Sequence, residues 1–434
     1  MGKFAEKFES IMMPVVDKIS TNASLQAITG GLMSLLPVTI LGAIASLLGS
    51  FQVDFYQNFI TSTGIKTLLS FIPLVTTNMF SVYAVFAIAK SMAEKLGHKQ
   101  HSTTMGLMTL VVFFLMIPLG VSGIAAESKE VVVVGNAIGM LYLGAPGLFS
   151  AILLGLLVPR IYGFVLDRGW VIKMPAQVPP MVSSSFSGLI PAFIIGLVFI
   201  LVRYGFSLTA FGNMNTFIYQ LIQTPLRGLT ASPFTFIVFL MLTSLLWFFG
   251  IHGGMVIMPL LQAMYTTAGL ENLAALEAGQ AFPNIVTLAD WAVFGMIGGG
   301  GATIGFAIWL AFFAKSQRYK TLGKVALPSS LVGINEPITF GTPVVLNPIL
   351  IIPFLLTPVI TFSIAHILKV VGILTPLNGV GVPLGTPLVF SALIAGGPVH
   401  ALVQVLLIAL TFVIYYPFAL MLDKKALAEE AVEQ

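Results

Sequence analysis

The chain has no cysteine, and only 8% of its 434 residues are charged. Without cysteine there are no disulfides, thiolate metal sites or thiol nucleophiles, and the redox compartment leaves no mark. A soluble domain typically carries about 25% charged residues. A chain of this length with so few charges cannot solvate a surface, which excludes a water-soluble enzyme, a disordered chain and a nucleic-acid binder. The net charge of +4 does not point to nucleic acid, because the basic residues are scattered among apolar spans. The first residues also lack the continuous apolar run of a cleavable signal peptide. Phe4, Phe8, Ile11, Met12, Val15 and Ile19 instead recur at helical spacing among Lys3, Glu6, Lys7, Glu9, Asp17 and Lys18, so residues 1–24 read as an amphipathic helix on a membrane surface.

What is abundant is apolar: 57% of residues are hydrophobic, with 42 glycines and 25 prolines among them. The expected class is an all-α polytopic membrane protein with interrupted helices, which a bilayer tolerates where freed backbone groups find protein or water. A crossing takes about 20 apolar residues. Ten stretches serve: Leu25–Phe51, Phe71–Ala89, Thr103–Val121, Ile138–Phe164, Phe186–Phe206, Pro233–Gly250, Met255–Leu270, Trp291–Ala314, Ile349–Leu368 and Val399–Leu422. With the N-terminus inside, fifteen of the twenty Lys and Arg residues fall on the cytoplasmic side, leaving Lys66, Lys129, Arg203, Arg227 and Lys369 outside. That bias requires the weak span near Met255 and places both termini in the cytoplasm.

Three apolar stretches are too broken to span: Glu271–Asp290, Val325–Pro348 and Thr375–Gly397. The first two read as re-entrant hairpins, dipping from outside and inside respectively, and paired broken segments point to a transport site. The expected organisation is a surface helix (1–24), an N-terminal five-helix half (25–207), an interfacial connector (208–231), a C-terminal half (232–422) and a cytoplasmic tail (423–434).

Fourteen of the sixteen acids sit in termini, loops or segment edges, and Asp290 starts a span. Glu336 alone lies in a long uncharged stretch, between Lys324 and Lys369. A carboxylate there costs about 2.5–3.5 kcal/mol on insertion scales. It either braces the turn at Asn335-Glu336-Pro337 or contacts a ligand. His252 follows a long apolar run and is flanked by Gly250, Gly253 and Gly254, which expose backbone groups as well as the imidazole. Trp247 offers either an aromatic face for a sugar or a lipid-interface ring. Asn284 lies in the break Phe282-Pro283-Asn284. His98 and His101 are expected to be solvated in a basic loop; His366 and His400 are expected to be structural hydrogen-bond donors. No metal triad, Walker A loop or dinucleotide fingerprint is present, so no metal or cofactor is expected. Gly298-Gly-Gly-Gly301 reads as close helix packing. Uncharged hydrogen-bonding groups with aromatics suit a neutral polyhydroxylated ligand.

The segments Trp247-Phe-Phe-Gly-Ile-His-Gly-Gly254 and Gly333-Ile-Asn-Glu-Pro-Ile-Thr-Phe-Gly-Thr-Pro-Val-Val-Leu-Asn-Pro348 closely resemble the membrane component, enzyme IIC, of the phosphoenolpyruvate-dependent sugar phosphotransferase system. Its lactose/cellobiose/diacetylchitobiose branch fits best, over essentially the whole chain. The resemblance implies a homodimeric permease of the bacterial inner membrane, with ten crossings and two re-entrant hairpins. The first half dimerises; the second binds a β-linked disaccharide and moves as an elevator. It implies that His252 and Glu336 hold the sugar, with Gly253, Asn335 and Trp247 beside them. The sugar is presented to a phosphocysteine on a IIB protein, supplied in turn by IIA and the general phosphotransfer proteins. With no cysteine, this chain is expected to be a stand-alone IIC that carries no phosphorylated residue. Many members of the branch have a tryptophan after the Val-Pro of the third broken stretch, where this chain has Leu384. The competing readings are a proton-coupled symporter using Glu336, an intramembrane enzyme acting on a lipid-linked sugar, and a purely structural membrane protein.

Overall fold

A computed structural model describes residues 21–433 except 51–52, 125–130, 176, 343, 346 and 383–384, together with Pro14 and Lys18. The amphipathic start expected over residues 1–24 therefore lies almost wholly outside the described residues, as does Leu384. From residue 21 on, the described chain divides into two compact units, 21–228 and 229–433.

In the first unit the helix Phe80–Lys95 is central, and Ala84, Val85, Ile88, Ala89, Met92 and Ala93 on it are fully buried. Its neighbours approach through glycine. A Cβ at Gly31 would come within 2.7 Å of Ile88, and one at Gly155 within 2.9 Å. Those glycines let the helices Ala23–Ser34 and Leu148–Asp167 pack backbone-close, as membrane helices do through small residues. Arg203 donates to the carbonyls of Leu115 and Ile117, so its charge is tied to the end of the helix Ser102–Met116 rather than to a loop.

The expectation of an all-α fold needs one correction. Leu119–Ile124 and Val131–Ile138 form an antiparallel hairpin in which Val121 faces Val134. The β-branched run Val131–Val134 favours a pleated strand. The expected spans Thr103–Val121 and Ile138–Phe164 overlap the hairpin only at residues 119–121 and 138, and the helices there are Ser102–Met116 and Leu148–Asp167.

In the second unit the helices Pro233–Phe248, Gly253–Glu277, Ile304–Phe312, Gln317–Ser330, Ile351–Val370 and Pro398–Glu433 enclose the core. Phe306 stacks on Tyr415 with ring centroids 5.3 Å apart. A Cβ at Gly305 would lie 2.1 Å from the Phe412 amide nitrogen, so glycine lets Ile304–Phe312 press against the last helix. The stretch Trp291–Ala314 is not one helix. It is a π-helical turn, Trp291–Gly295, then a break, then Ile304–Phe312, with a 53° bend between the two arms. Gly298, Gly299 and Gly301 have φ of 81°, 105° and 74°. The glycine run thus serves a backbone conformation that side chains oppose as well as the close packing expected of it, since a Cβ at Gly301 would lie 2.3 Å from Phe354. The helix Gly253–Glu277 takes in Glu271–Glu277, leaving residues 278–290 as the irregular connection. Within Val325–Pro348 the helix Gln317–Ser330 ends, residues 331–335 turn, and the short helix Glu336–Gly341 follows.

Five helices among the described residues are long and apolar enough to cross a membrane, or seven if two bent pairs each count once. Large apolar side chains such as Phe193, Leu201, Leu402, Leu406 and Val413 are more than 60% exposed on them. Apolar exposure on this scale suits lipid rather than water.

Candidate functional site

The helix Pro233–Phe248 stops at Phe249, and Gly250 turns the chain with φ of 82°. His252 then caps the next helix, Gly253–Glu277, its Nδ1 accepting from the Met255 amide at 3.2 Å. Gly253 lies so close to the preceding helix that a Cβ there would sit 2.1 Å from the Thr243 carbonyl oxygen. Because Nδ1 accepts, the neutral ring carries its proton on Nε2. Nε2 points at Glu336 Oε1, 3.5 Å away, and both side chains are about two-fifths exposed.

Glu336 opens the helix Glu336–Gly341. Its second oxygen, Oε2, is shut off from solvent and has no hydrogen-bond partner among the described residues. An orphaned buried carboxylate oxygen is costly, because the desolvation is not compensated. Here it leaves one acceptor of the carboxylate unused, while the side chain as a whole is about two-fifths exposed.

Asn335 locks this arrangement. Its Oδ1 accepts from the Gly300 amide at 3.1 Å, and its Nδ2 donates to the Gly300 carbonyl at 2.6 Å and to Thr303 Oγ1 at 2.8 Å. The glycine break and the turn before Glu336 are therefore clamped by one side-chain amide. Trp247 completes the circuit. It is only 4% exposed, its ring lies 4.2 Å from that of His252, and a Cβ at Gly300 would reach it at 3.0 Å. His252, Glu336, Trp247, Gly253 and Asn335 are thus brought together. Asn335 is engaged with backbone rather than free for a ligand, and Trp247 is covered.

Asn284 belongs to a different set. Its Nδ2 donates to Glu271 Oε2 at 2.9 Å and its amide to Asn272 Oδ1 at 3.0 Å, while Asn272 also donates to the Leu377 carbonyl. These bonds tie the irregular connection 278–290 to the helix Gly253–Glu277.

Sequence reasoning missed one pair. Asp290 and Lys369 form an ion pair in which both side chains are 1% exposed. Asp290 also accepts from the Thr287 amide at 2.9 Å and hydroxyl at 3.3 Å, and Lys369 donates to the Ile285 carbonyl at 3.1 Å. Glu336 is therefore not the only acid deep in an apolar region, and Lys369 is not a loop charge. The sequence shows only two isolated opposite charges, each at one end of an apolar span, and nothing in it says that they meet.

His400 is buried and bonded through Nε2 to the Thr375 carbonyl, and His366 stacks on Phe362. His98 and His101 are less solvated than expected. His98 packs on Gly163 and lies 3.6 Å from Asp167, and burial with His98 alongside pushes the His101 pKa down. No metal-holding cluster occurs among the described residues.

The family model described as "Phosphotransferase system, EIIC" matches residues 29–358. The lichenan permease IIC component of Bacillus subtilis (strain 168) is 33% identical over 99% of this chain and 96% of its own. The cellobiose-specific EIIC component of Geobacillus stearothermophilus is 32% identical over 100% of this chain and 97% of its own. The crystal structure of ChbC, the IIC component of the N,N'-diacetylchitobiose-specific system, superposes with a TM-score of 0.91 at 32% identity, covering 98% of this chain and 99% of that one.

Proposed function

This chain belongs to the phosphotransferase-system EIIC family, and from that premise we propose that it imports a β-linked disaccharide of the cellobiose, lactose or diacetylchitobiose type and presents it to a phosphorylated IIB protein. The observation that carries the reading is the half-exposed Glu336 carboxylate beside His252 Nε2, each group leaving polar capacity for a hydroxyl. A sugar hydroxyl placed there donates to Glu336 and accepts from the imidazole. Phosphoryl transfer depends chiefly on positioning and charge stabilisation. As the hydroxyl oxygen attacks the IIB phosphocysteine, the P–S bond breaks, the thiolate leaves and Glu336 takes the hydroxyl proton. Asn335 and Trp247 hold the pair in register, and Gly253 admits the close helix contact behind it.

The proposed frame has ten crossings, two re-entrant hairpins in the second half and both termini in the cytoplasm of a bacterial cell. The first half dimerises, and the second moves as an elevator, carrying the site between faces. IIA and the general phosphotransfer proteins stand upstream of IIB. Arg203 and Lys369 are tied into the protein rather than lying in loops, so neither counts against the proposed orientation.

Uptake by membrane vesicles tests the reading. Cellobiose phosphate should form only with phosphorylated IIB on the cytoplasmic face, and a protonophore should leave the rate unchanged. Single cysteines at positions 66 and 320 of this cysteine-free chain should label from opposite faces. Accumulation of unmodified sugar that collapses with the protonophore would establish a proton symporter instead.

A further inference from the structure

Resting on the sugar-site reading above, we propose that Phe340 is the aromatic platform on which a pyranose ring of the substrate stacks, and so helps determine which disaccharide is held. A sugar ring presents an apolar C–H face, and sites that bind one pair hydrogen-bonding groups with an exposed aromatic face. Trp247 has no such face free. It is 4% exposed, with the His252 ring 4.2 Å away and Gly300 packed against it. Phe340 is 63% exposed. Its ring meets that of Trp247 edge-on, with centroids 6.1 Å apart at 68°. Trp247 therefore holds His252 by one contact and Phe340 by another.

Helical spacing places the platform correctly. Phe340 lies four residues after Glu336 on Glu336–Gly341, so the two share a helix face. Ile338 and Thr339 between them are fully buried, while Glu336 and Phe340 are not. A lipid-facing phenyl ring would not share its face with a half-exposed carboxylate, given the cost of about 2.5–3.5 kcal/mol for an acid at membrane depth. In the proposed site the ring, the carboxylate and the imidazole Nε2 are therefore set around one sugar.

The test uses the purified full-length protein and calorimetric titration with cellobiose, with lactose and N,N'-diacetylchitobiose in parallel. Phe340→Leu keeps apolar bulk and removes the ring. It should weaken binding of the preferred sugar about fivefold or more, in the range of aromatic stacking contributions. Phe340→Trp should restore binding, and its added tryptophan fluorescence should change on sugar addition. Because Phe340 is exposed, neither change disturbs the core. Glu336→Gln is titrated beside them. If Phe340→Leu binds within about twofold of the parent while Glu336→Gln is weakened, the platform is overturned and the proposed function stands. A parent that binds none of the three sugars overturns both.

Discussion

Glu336→Gln should bind cellobiose about ten- to a hundredfold more weakly than the parent, since hydrogen bonds to charged groups contribute about 1.5–3 kcal/mol. The change is nearly isosteric, yet it inverts the chemistry at one point. The proton on His252 Nε2 draws the amide oxygen of the glutamine toward the ring, into the place of Oε1. The amide NH2 then occupies the place of Oε2, the oxygen that is buried and unpartnered. A hydroxyl that had donated to the carboxylate finds one of its two acceptors replaced by a donor. Phosphorylation by IIB should fall further than binding, because the group that takes the hydroxyl proton is gone. Titration calorimetry and a IIB-dependent phosphorylation assay separate the two effects. A folded Glu336→Gln protein that binds and phosphorylates like the parent would reduce Glu336 to a brace for the turn at Asn335-Glu336-Pro337.

Lys369→Met should lower stability by about 3–5 kcal/mol, the usual consequence of leaving one member of a buried ion pair uncompensated. Asp290 would retain its two bonds from Thr287 but lose its counter-charge in a region where both partners are 1% exposed. The double variant Asp290→Asn with Lys369→Met removes both charges and should regain most of the loss, because desolvation of the pair offsets much of its Coulombic gain. Thermal unfolding of the detergent-solubilised protein reads the difference. Equal midpoints for parent, single and double variants would mean that the pair contributes nothing to the fold. The pair fixes residues 285–290 to the last turn of the helix Ile351–Val370, just ahead of the glycine break that Asn335 clamps. Its loss should therefore also blur the site.

The residues with unusual local chemistry were legible in the sequence. A lone carboxylate in an uncharged stretch and a histidine between glycines are conspicuous in one dimension, and the structure places their side chains 3.5 Å apart. Pairings across long separations were not legible. Asp290 and Lys369 are 79 residues apart, and each looks like the polar end of a span. Close packing at Gly298–Gly301 was legible, but the break in the helix there, and the Asn335 amide that reaches back 35 residues to clamp it, were not. Asn335 and Trp247 were marked for the right neighbourhood but for contact with a ligand. Their bonds and burial make them supports. Phe340 was passed over because one phenylalanine among 34 carries no signal until its exposure is known. The β-hairpin lies mostly in the loop expected between two spans, and its sequence sign is the β-branched run Val131–Val134.

The most direct test of the central claim is a density map of the protein saturated with cellobiose. The account predicts a sugar hydroxyl within hydrogen-bonding distance of both the Glu336 carboxylate and His252 Nε2, with Asn335 still closed on Gly300. Sugar density elsewhere in the chain, with the Glu336 oxygen left unpartnered, would contradict it.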